Sequence, residues 1–293
     1  MNYHHIYHAG NFADVFKHLI LCFCLEKLHE KPASFFALDT HAGIGKYDLS
    51  DEKSLKTFEA NNGIKKLLAQ KNYAEFLPER YLNILAKINK CQIGELSQKL
   101  RFYSGSPALI RDYLRNQDRA IFAELNHQDF LQLRKNFAGS SKLSFVFQDG
   151  FELIKSTLPP LEKRALVIID AAFEKDQSKI SLDWQKIVEG LNEAQKRSAS
   201  AIYLVWYPII KSDTQVLEKF GTEMAKLKFE KVLHATFDIG QDQEETKMHA
   251  CGMFVFNAPW QLDEKLKIIM PQILQILKKN DSASFKINSL GEF

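Results

Sequence analysis

The chain has 293 residues, with 39 Lys and Arg against 36 Asp and Glu, a formal net charge of +3. That balance excludes a polycationic tail and an acidic solvating segment, and 45% hydrophobic with 26% charged residues is the composition of an ordinary folded protein of one large or two small domains. Only 13 Gly and 8 Pro exclude a linker-rich chain, while 22 Phe favour a buried interior over disorder.

The opening Met1 to Gly10 lacks the basic-then-apolar pattern of a signal peptide. Phe12, Phe16, Leu19, Ile20 and Phe23 recur at helical spacing and predict a helix from Phe12 to His29, capped by Asn11 with Asp14 three residues on. The apolar run from Leu19 to Leu25 is far shorter than the roughly 20 residues of a membrane span. Cys22, Cys24, Cys91 and Cys251 form no C-x-x-C pair and no disulfide framework, which is the usage of a reduced compartment. Together these features predict a cytoplasmic protein. Ser34 to Leu38 reads as a short buried strand running into the turn Asp39-Thr40-His41-Ala42-Gly43-Ile44-Gly45.

Residues 51 to 100 read as helices without a strand, one stripe through Leu55, Phe58, Ile64, Leu67 and Leu68 and another through Phe76, Tyr81, Leu82, Leu85 and Ile88. Beyond them strands and helices alternate. The strands are Ala120–Glu124, Leu143–Gln148, Ala165–Asp170, Ala201–Tyr207, Lys231–Phe237 and Cys251–Asn257. Helices are expected at His127–Asn136, Phe151–Thr157, Leu182–Lys196, Thr214–Lys226 and Asp263–Lys278. Alternation of this kind calls for right-handed crossovers and a mainly parallel sheet. The last two strands are too close for a crossover helix and are expected as an antiparallel hairpin. The fold class is therefore α/β: a class I, Rossmann-like sheet of seven strands, built from 1–50 and 101–293, with 51–100 as an inserted helical subdomain. Residues 51 to 101 hold ten Lys/Arg and six Asp/Glu, so this segment exceeds the excess positive charge of the whole chain. A basic RNA-gripping appendage and an ordinary solvated helical face both fit that pattern.

In an open α/β sheet, ligands bind beyond the carboxyl ends of the strands. There the first strand delivers Asp39, His41, Gly43 and Gly45, suited to close approach of a ligand or simply to a tight turn. The second delivers Glu124, which can accept both hydroxyls of a ribose or stand solvated. The third delivers Asp149 and Gly150, an acceptor for an adenine amine or a helix cap. The fourth delivers Asp170-Ala171-Ala172-Phe173 from the apolar Val167-Ile168-Ile169. A carboxylate with an aromatic three residues on suits methylation of an exocyclic nitrogen: the acid accepts amine hydrogens and the ring stacks on a flipped base. Tyr3, His4, His5, Tyr7, His8, Lys17 and His18 interleave aromatic and basic groups, as for stacking and phosphate contact, or as a strap packed on the domain. They lack the frame of a metal site, and no metal is expected.

These motifs together resemble the RlmJ family of S-adenosylmethionine-dependent 23S rRNA adenine-N6 methyltransferases. The resemblance spans nearly the whole chain. It is carried by Tyr7-His8-Ala9-Gly10-Asn11, Lys17-His18, Leu38-Asp39-Thr40-His41-Ala42-Gly43, Gly105-Ser106-Pro107, Glu124-Leu125, Asp149-Gly150-Phe151, Trp206-Tyr207-Pro208 and Asn257-Ala258-Pro259-Trp260. It implies S-adenosylmethionine bound by His18, His41, Ser106, Glu124, Asp149, Gly150 and Asp170, and the turn after the first strand is expected to add Asp39 and Gly43 to that site. It further implies catalysis by Asp170 with Phe173, substrate contacts at Tyr3 and Lys17, and a monomer acting on protein-free 23S rRNA. One departure stands out. The family carries Asp-Pro-Pro-Tyr or Asp-Pro-Pro-Phe where this chain has Asp170-Ala171-Ala172-Phe173, so the φ restraint of two prolines is gone. DNA adenine methylation and a weakened, nucleic-acid-binding homologue therefore remain alternatives.

Overall fold

A computed structural model describes residues 4–173, 177–210, 214–240 and 248–290. The first helix, α1 (Phe12–Glu30), starts where its cap predicts. The Asn11 side chain accepts from the Asp14 N–H at 2.8 Å, and the Asp14 carboxylate accepts from the Gly10 N–H at 2.9 Å. The helix is buried on nearly every side along its first four turns, which is why its apolar residues run almost without a polar face.

The chain then forms β1 (Phe36–Asp39) and a short strand β2 (Lys46–Asp48), followed by five small helices. These are α2 (Glu52–Thr57), α3 (Ile64–Leu68), α4 (Tyr73–Phe76), α5 (Glu79–Asn89) and α6 (Leu96–Lys99). Next, β3 (Phe102–Ser104) pairs antiparallel with β2, so the two ends of the helical segment are tied at its base. Ile64, Leu67, Tyr81 and Leu85 of these helices belong to the same continuous core as α1. Leu55 and Phe58, expected on the buried side, are exposed. Phe58 takes a left-handed φ of 54° that ends α2, and the helical stripe breaks there.

The remainder is α7 (Ser106–Tyr113), β4 (Arg119–Ala123), α8 (His127–Asn136), β5 (Leu143–Val146), α9 (Gly150–Thr157), β6 (Ala165–Ile169), α10 (Gln177–Arg197), β7 (Ile202–Ile209), α11 (Thr214–Ala225), β8 (Val232–Asp238), β9 (Ala250–Phe256), α12 (Leu262–Leu277) and β10 (Ser284–Leu290). The main sheet runs β10-β8-β9-β7-β6-β1-β4-β5. It has eight strands among the described residues, one more than the sequence predicts. The additional strand, β10, pairs antiparallel with β8 at the edge. The expected hairpin is present, but β9 lies inside the sheet, antiparallel to both β8 and β7. The other neighbouring pairs are parallel.

Alternation along the strands divides the core. Ala37, Phe122, Ile168 and Leu204 face α1, α7 and α12, whereas Leu38, Val167, Val205 and Phe254 face α9, α10 and α11. Helices thus cover both faces, as a largely parallel sheet requires. β1 pairs with β4 on one side and β6 on the other, so the crossover direction reverses there and leaves a crevice at its carboxyl end. No helix among the described residues is long and apolar enough to cross a membrane.

Candidate active site

A cleft of about 930 Å³, counting its open mouth, lies at that reversal. Its wall includes Lys17 and His18 from α1, the turn after β1, Ser106, Glu124, Asp149-Gly150 and Asp170.

Asp39 ends β1 and is fully buried just behind the cleft. Its carboxylate accepts from the Ser106 hydroxyl at 2.6 Å and the His41 N–H at 3.2 Å. Burial pushes its pKa up to about 7, against the Ser106 hydrogen bond. Asp39 therefore holds the floor of the site together rather than lining it. Thr40 donates to the Ile168 carbonyl at 3.0 Å and meets His41 Nδ1 at 2.8 Å. Burial lowers the His41 pKa to about 4, so the ring is neutral at physiological pH.

Gly43 sits at φ +55°, and a Cβ there would lie 2.3 Å from the Tyr47 hydroxyl. Its N–H donates to Glu124 Oε2 at 2.8 Å, while Glu124 Oε1 accepts from the Asn126 N–H at 2.7 Å. Burial raises the Glu124 pKa, opposed by these backbone donors. A carboxylate has about four lone-pair sites, so Glu124 can be locked to the backbone and still accept two hydroxyls. Asp149 fills the expected helix-cap role and also reaches the cleft. It caps α9 by accepting from the Phe151 N–H at 2.9 Å, and it lines the cleft with Lys186 at 3.5 Å. Gly150 is needed for packing: a Cβ would lie 2.1 Å from the Thr40 carbonyl oxygen.

Asp170 follows β6 and faces Lys17, whose ammonium lies 2.5 Å from Asp170 Oδ2 and 2.9 Å from Asp14 Oδ1. Only 5% of the Lys17 side chain is exposed. Burial alone would pull its pKa down, but the two carboxylates outweigh that and hold it above the ordinary lysine range. The ammonium is thus directed at carboxylates rather than outward to a phosphate, a correction to the phosphate contact expected of it. The neighbouring histidines are also held within the fold. His5 bonds Asp14 at 2.9 Å, His8 bonds Glu59 at 3.0 Å, and His18 bonds the Tyr103 hydroxyl at 2.9 Å. This is the packed strap. Tyr3 lies outside the described residues.

Phe173 departs from its expected position. It is 8% exposed, is absent from the cleft wall, and packs against Trp184 and Trp206 at centroid distances of 4.6 and 6.0 Å. Its φ of +43° is unfavourable for a bulky residue. Stacking on a base would require the ring to leave this cluster. The sequence reading overlooked Thr40 and Phe151, although both lie inside its motifs. It also overlooked Lys186 and Tyr103, for which no local pattern gave a signal.

Residues 32–288 match the family described as Ribosomal RNA large subunit methyltransferase D, RlmJ. The chain is 37% identical over 289 residues to the Ribosomal RNA large subunit methyltransferase J of Haemophilus influenzae, covering 98% of each. It is 35% identical over 271 residues to the protein of the same name from Escherichia coli, covering 92% of each. The crystal structure of protein LPL1258 from Legionella pneumophila superposes with a TM-score of 0.83 at 29% identity, covering 96% of this chain and 98% of that one. By its family match and by identity over nearly its full length, the chain belongs to the RlmJ family of ribosomal RNA large subunit methyltransferases.

Proposed function

We propose that this protein transfers a methyl group from S-adenosylmethionine to N6 of an adenine flipped out of 23S ribosomal RNA. The observation that carries the reading is the convergence of Asp170, paired with Lys17, on the same cleft as Glu124 and Asp149. The fit to the cofactor rests on that donor set. Glu124 has acceptor capacity left for the two ribose hydroxyls, and Asp149 accepts from an adenine amine. Gly43 lines the same wall and holds Glu124 in place through its N–H. His18, His41 and Ser106, braced by Asp39, take the methionine half, and Gly150 lets α9 approach the adenine side. When bound, S-adenosylmethionine supplies a methyl group already activated on a sulfonium, so the residues have only to position the amine and remove a proton.

Asp170 does both. Lys17 fixes Oδ2 and leaves Oδ1 to accept an N–H of the target amine, which aims the nitrogen lone pair at the methyl carbon. As the N–C bond forms and the S–C bond breaks, the surplus proton leaves the amine toward Asp170. Tyr3 borders the base, and Phe173 contributes its face only if the loop opens. Residues 51–100 form an appendage that grips RNA phosphate, and the protein acts as a monomer in the cytoplasm on protein-free 23S rRNA.

The test is mass spectrometry of protein-free 23S rRNA incubated with the protein and isotopically labelled S-adenosylmethionine. One N6-methyladenine per molecule is expected, and a double-stranded DNA competitor should leave the yield unchanged. Label on DNA in preference to rRNA would overturn the substrate, and cofactor binding without transfer to any nucleic acid would overturn the enzymatic reading. Ala171, Ala172 and the buried Phe173 favour that last outcome as the second reading, a cofactor-binding homologue with reduced transfer.

A further inference from the structure

Two histidines of the cleft wall are each tied through Nδ1 to a hydroxyl, and the surroundings of those hydroxyls fix where each proton lies. His18 Nδ1 is 2.9 Å from the Tyr103 hydroxyl, which is 3.1 Å from the Tyr81 hydroxyl of α5. All three side chains are buried, with His18 1% exposed and both tyrosines 0%. Among the described residues, the Tyr81 hydroxyl has Tyr103 as its one hydrogen-bond partner. If the chain ran outward from His18, through Tyr103 to Tyr81, the Tyr81 hydrogen would have no acceptor. A stranded buried donor is costly, whereas an unused oxygen lone pair is tolerated better. The chain therefore runs inward: Tyr81 donates to Tyr103, and Tyr103 donates to His18 Nδ1. Burial keeps His18 neutral, its pKa lowered to about 3 although Asp14 opposes this. A neutral imidazole whose Nδ1 accepts carries its proton on Nε2.

At His41 the direction is reversed. The Thr40 hydroxyl lies 3.0 Å from the Ile168 carbonyl and 2.8 Å from His41 Nδ1. It has one hydrogen, and the carbonyl can only accept. Both contacts are hydrogen bonds only if Thr40 donates to Ile168 and His41 Nδ1–H donates to Thr40. His41 Nε2 is then left as an acceptor.

We propose that Tyr103 and Thr40 are positioning residues that lock His18 and His41 in opposite tautomers, so that the cleft offers one N–H donor and one nitrogen acceptor to a zwitterionic amino acid group. His18 receives the carboxylate and His41 the ammonium of the methionine half. The assignment of this ligand rests on the proposed cofactor; the tautomers do not. Tyr81 links the helical segment 51–100 to this wall through its hydrogen bond to Tyr103.

Long-range proton–nitrogen NMR of the free, nitrogen-15-labelled protein reads both tautomers directly. His18 is expected with its proton on Nε2 and His41 with its proton on Nδ1; the opposite assignment at either ring overturns the proposal. Tyr81→Phe leaves the Tyr103 donor in place and should leave the His18 tautomer unchanged, whereas an outward-running chain would lose it. Calorimetry then compares S-adenosylhomocysteine with 5′-methylthioadenosine, which lacks the amino acid. Tyr103→Phe and Thr40→Val should each weaken S-adenosylhomocysteine about tenfold and leave methylthioadenosine within about twofold. Equal weakening of both ligands means the changes act on the fold alone and overturns the positioning role. If wild-type protein binds neither ligand while both tautomers are as expected, the cofactor reading fails and the tautomer locks stand.

Discussion

The buried pair Lys17–Asp170 predicts an asymmetry between its two halves. Lys17 bridges Asp14 and Asp170 at 2.9 and 2.5 Å, and the side chains of Lys17, Asp14 and Asp170 are 5%, 2% and 14% exposed. Lys17→Met removes the shared cation and leaves two carboxylates in the interior. Asp14 keeps His5 and the Gly10 N–H, but among the described residues Asp170 has no other hydrogen-bond or ion-pair partner. Removing one partner of a buried pair costs about 3–5 kcal/mol. Asp170→Asn leaves the ammonium on Asp14 and offers it an amide oxygen, so the cost falls to about 1–2 kcal/mol. Urea unfolding followed by tryptophan fluorescence measures both, with Trp206 a reporter 5.7 Å from the Lys17 ammonium. In the proposed mechanism the order of effects on transfer differs: Asp170→Asn abolishes methylation while staying folded. Burial alone would raise the Asp14 pKa, but His5 and Lys17 outweigh that and hold it well below the ordinary aspartate range. The stability due to this carboxylate is thus full above about pH 4 and lost as the pH falls through its lower folded value. A loss below about 1 kcal/mol in Lys17→Met, or a larger loss in Asp170→Asn, would refute the reasoning.

The Ala171→Pro/Ala172→Pro variant should restrain the loop after β6 and raise the methylation rate, by as much as about 100-fold if misplacement is limiting, with cofactor affinity unchanged; equal rates would show that the alanines are harmless. Gly150→Ala places a methyl group 2.1 Å from the Thr40 carbonyl oxygen. It should cost about 1–3 kcal/mol in thermal or urea unfolding and weaken cofactor binding, because α9 must move off the end of β1. Burial lowers the pKa of His41 from 6.5 to about 4, so its neutral form favours folding above pH 6.5 and that contribution is lost as the pH falls toward 4. Asp39, raised to about 7, works in the opposite sense, losing stability as the pH rises. His41→Gln should therefore remove about 3 kcal/mol of acid-side dependence from a pH series of urea midpoints, and an unchanged slope would contradict the burial argument. Lys65→Glu/Lys66→Glu should weaken RNA binding in a salt-dependent manner and leave S-adenosylhomocysteine affinity unaltered.

What the sequence revealed and what it concealed follow from the range of the forces involved. The helix at Phe12, the strands ending at Asp39, Glu124 and Asp170, and the cap at Asp149 are local: each depends on a periodicity or a capping side chain within a few residues. Strand β10 was also legible, since Phe285 and Ile287 alternate with Lys286 and Asn288, but a half-buried edge strand carries few apolar residues and is easily passed over. The ribbon of β2 and β3 joins residues separated by more than fifty positions, and no pattern within either strand announces its partner.

The same distinction applies in the cleft. Asp170 stood out because an acid ending an apolar strand is costly unless something answers it. What answers it is Lys17, 153 residues away and spaced on its helix like any solvent-facing lysine. Phe173 shows the reverse. As the aromatic three residues after the acid it reads as a stacking face, but Trp184 and Trp206, from α10 and β7, enclose it. Chemistry that depends on residue type at a strand end could therefore be read from the chain. Charge state, tautomer and side-chain availability depend on long-range neighbours such as Lys17, Tyr103 and Trp184, and these enter only with the fold.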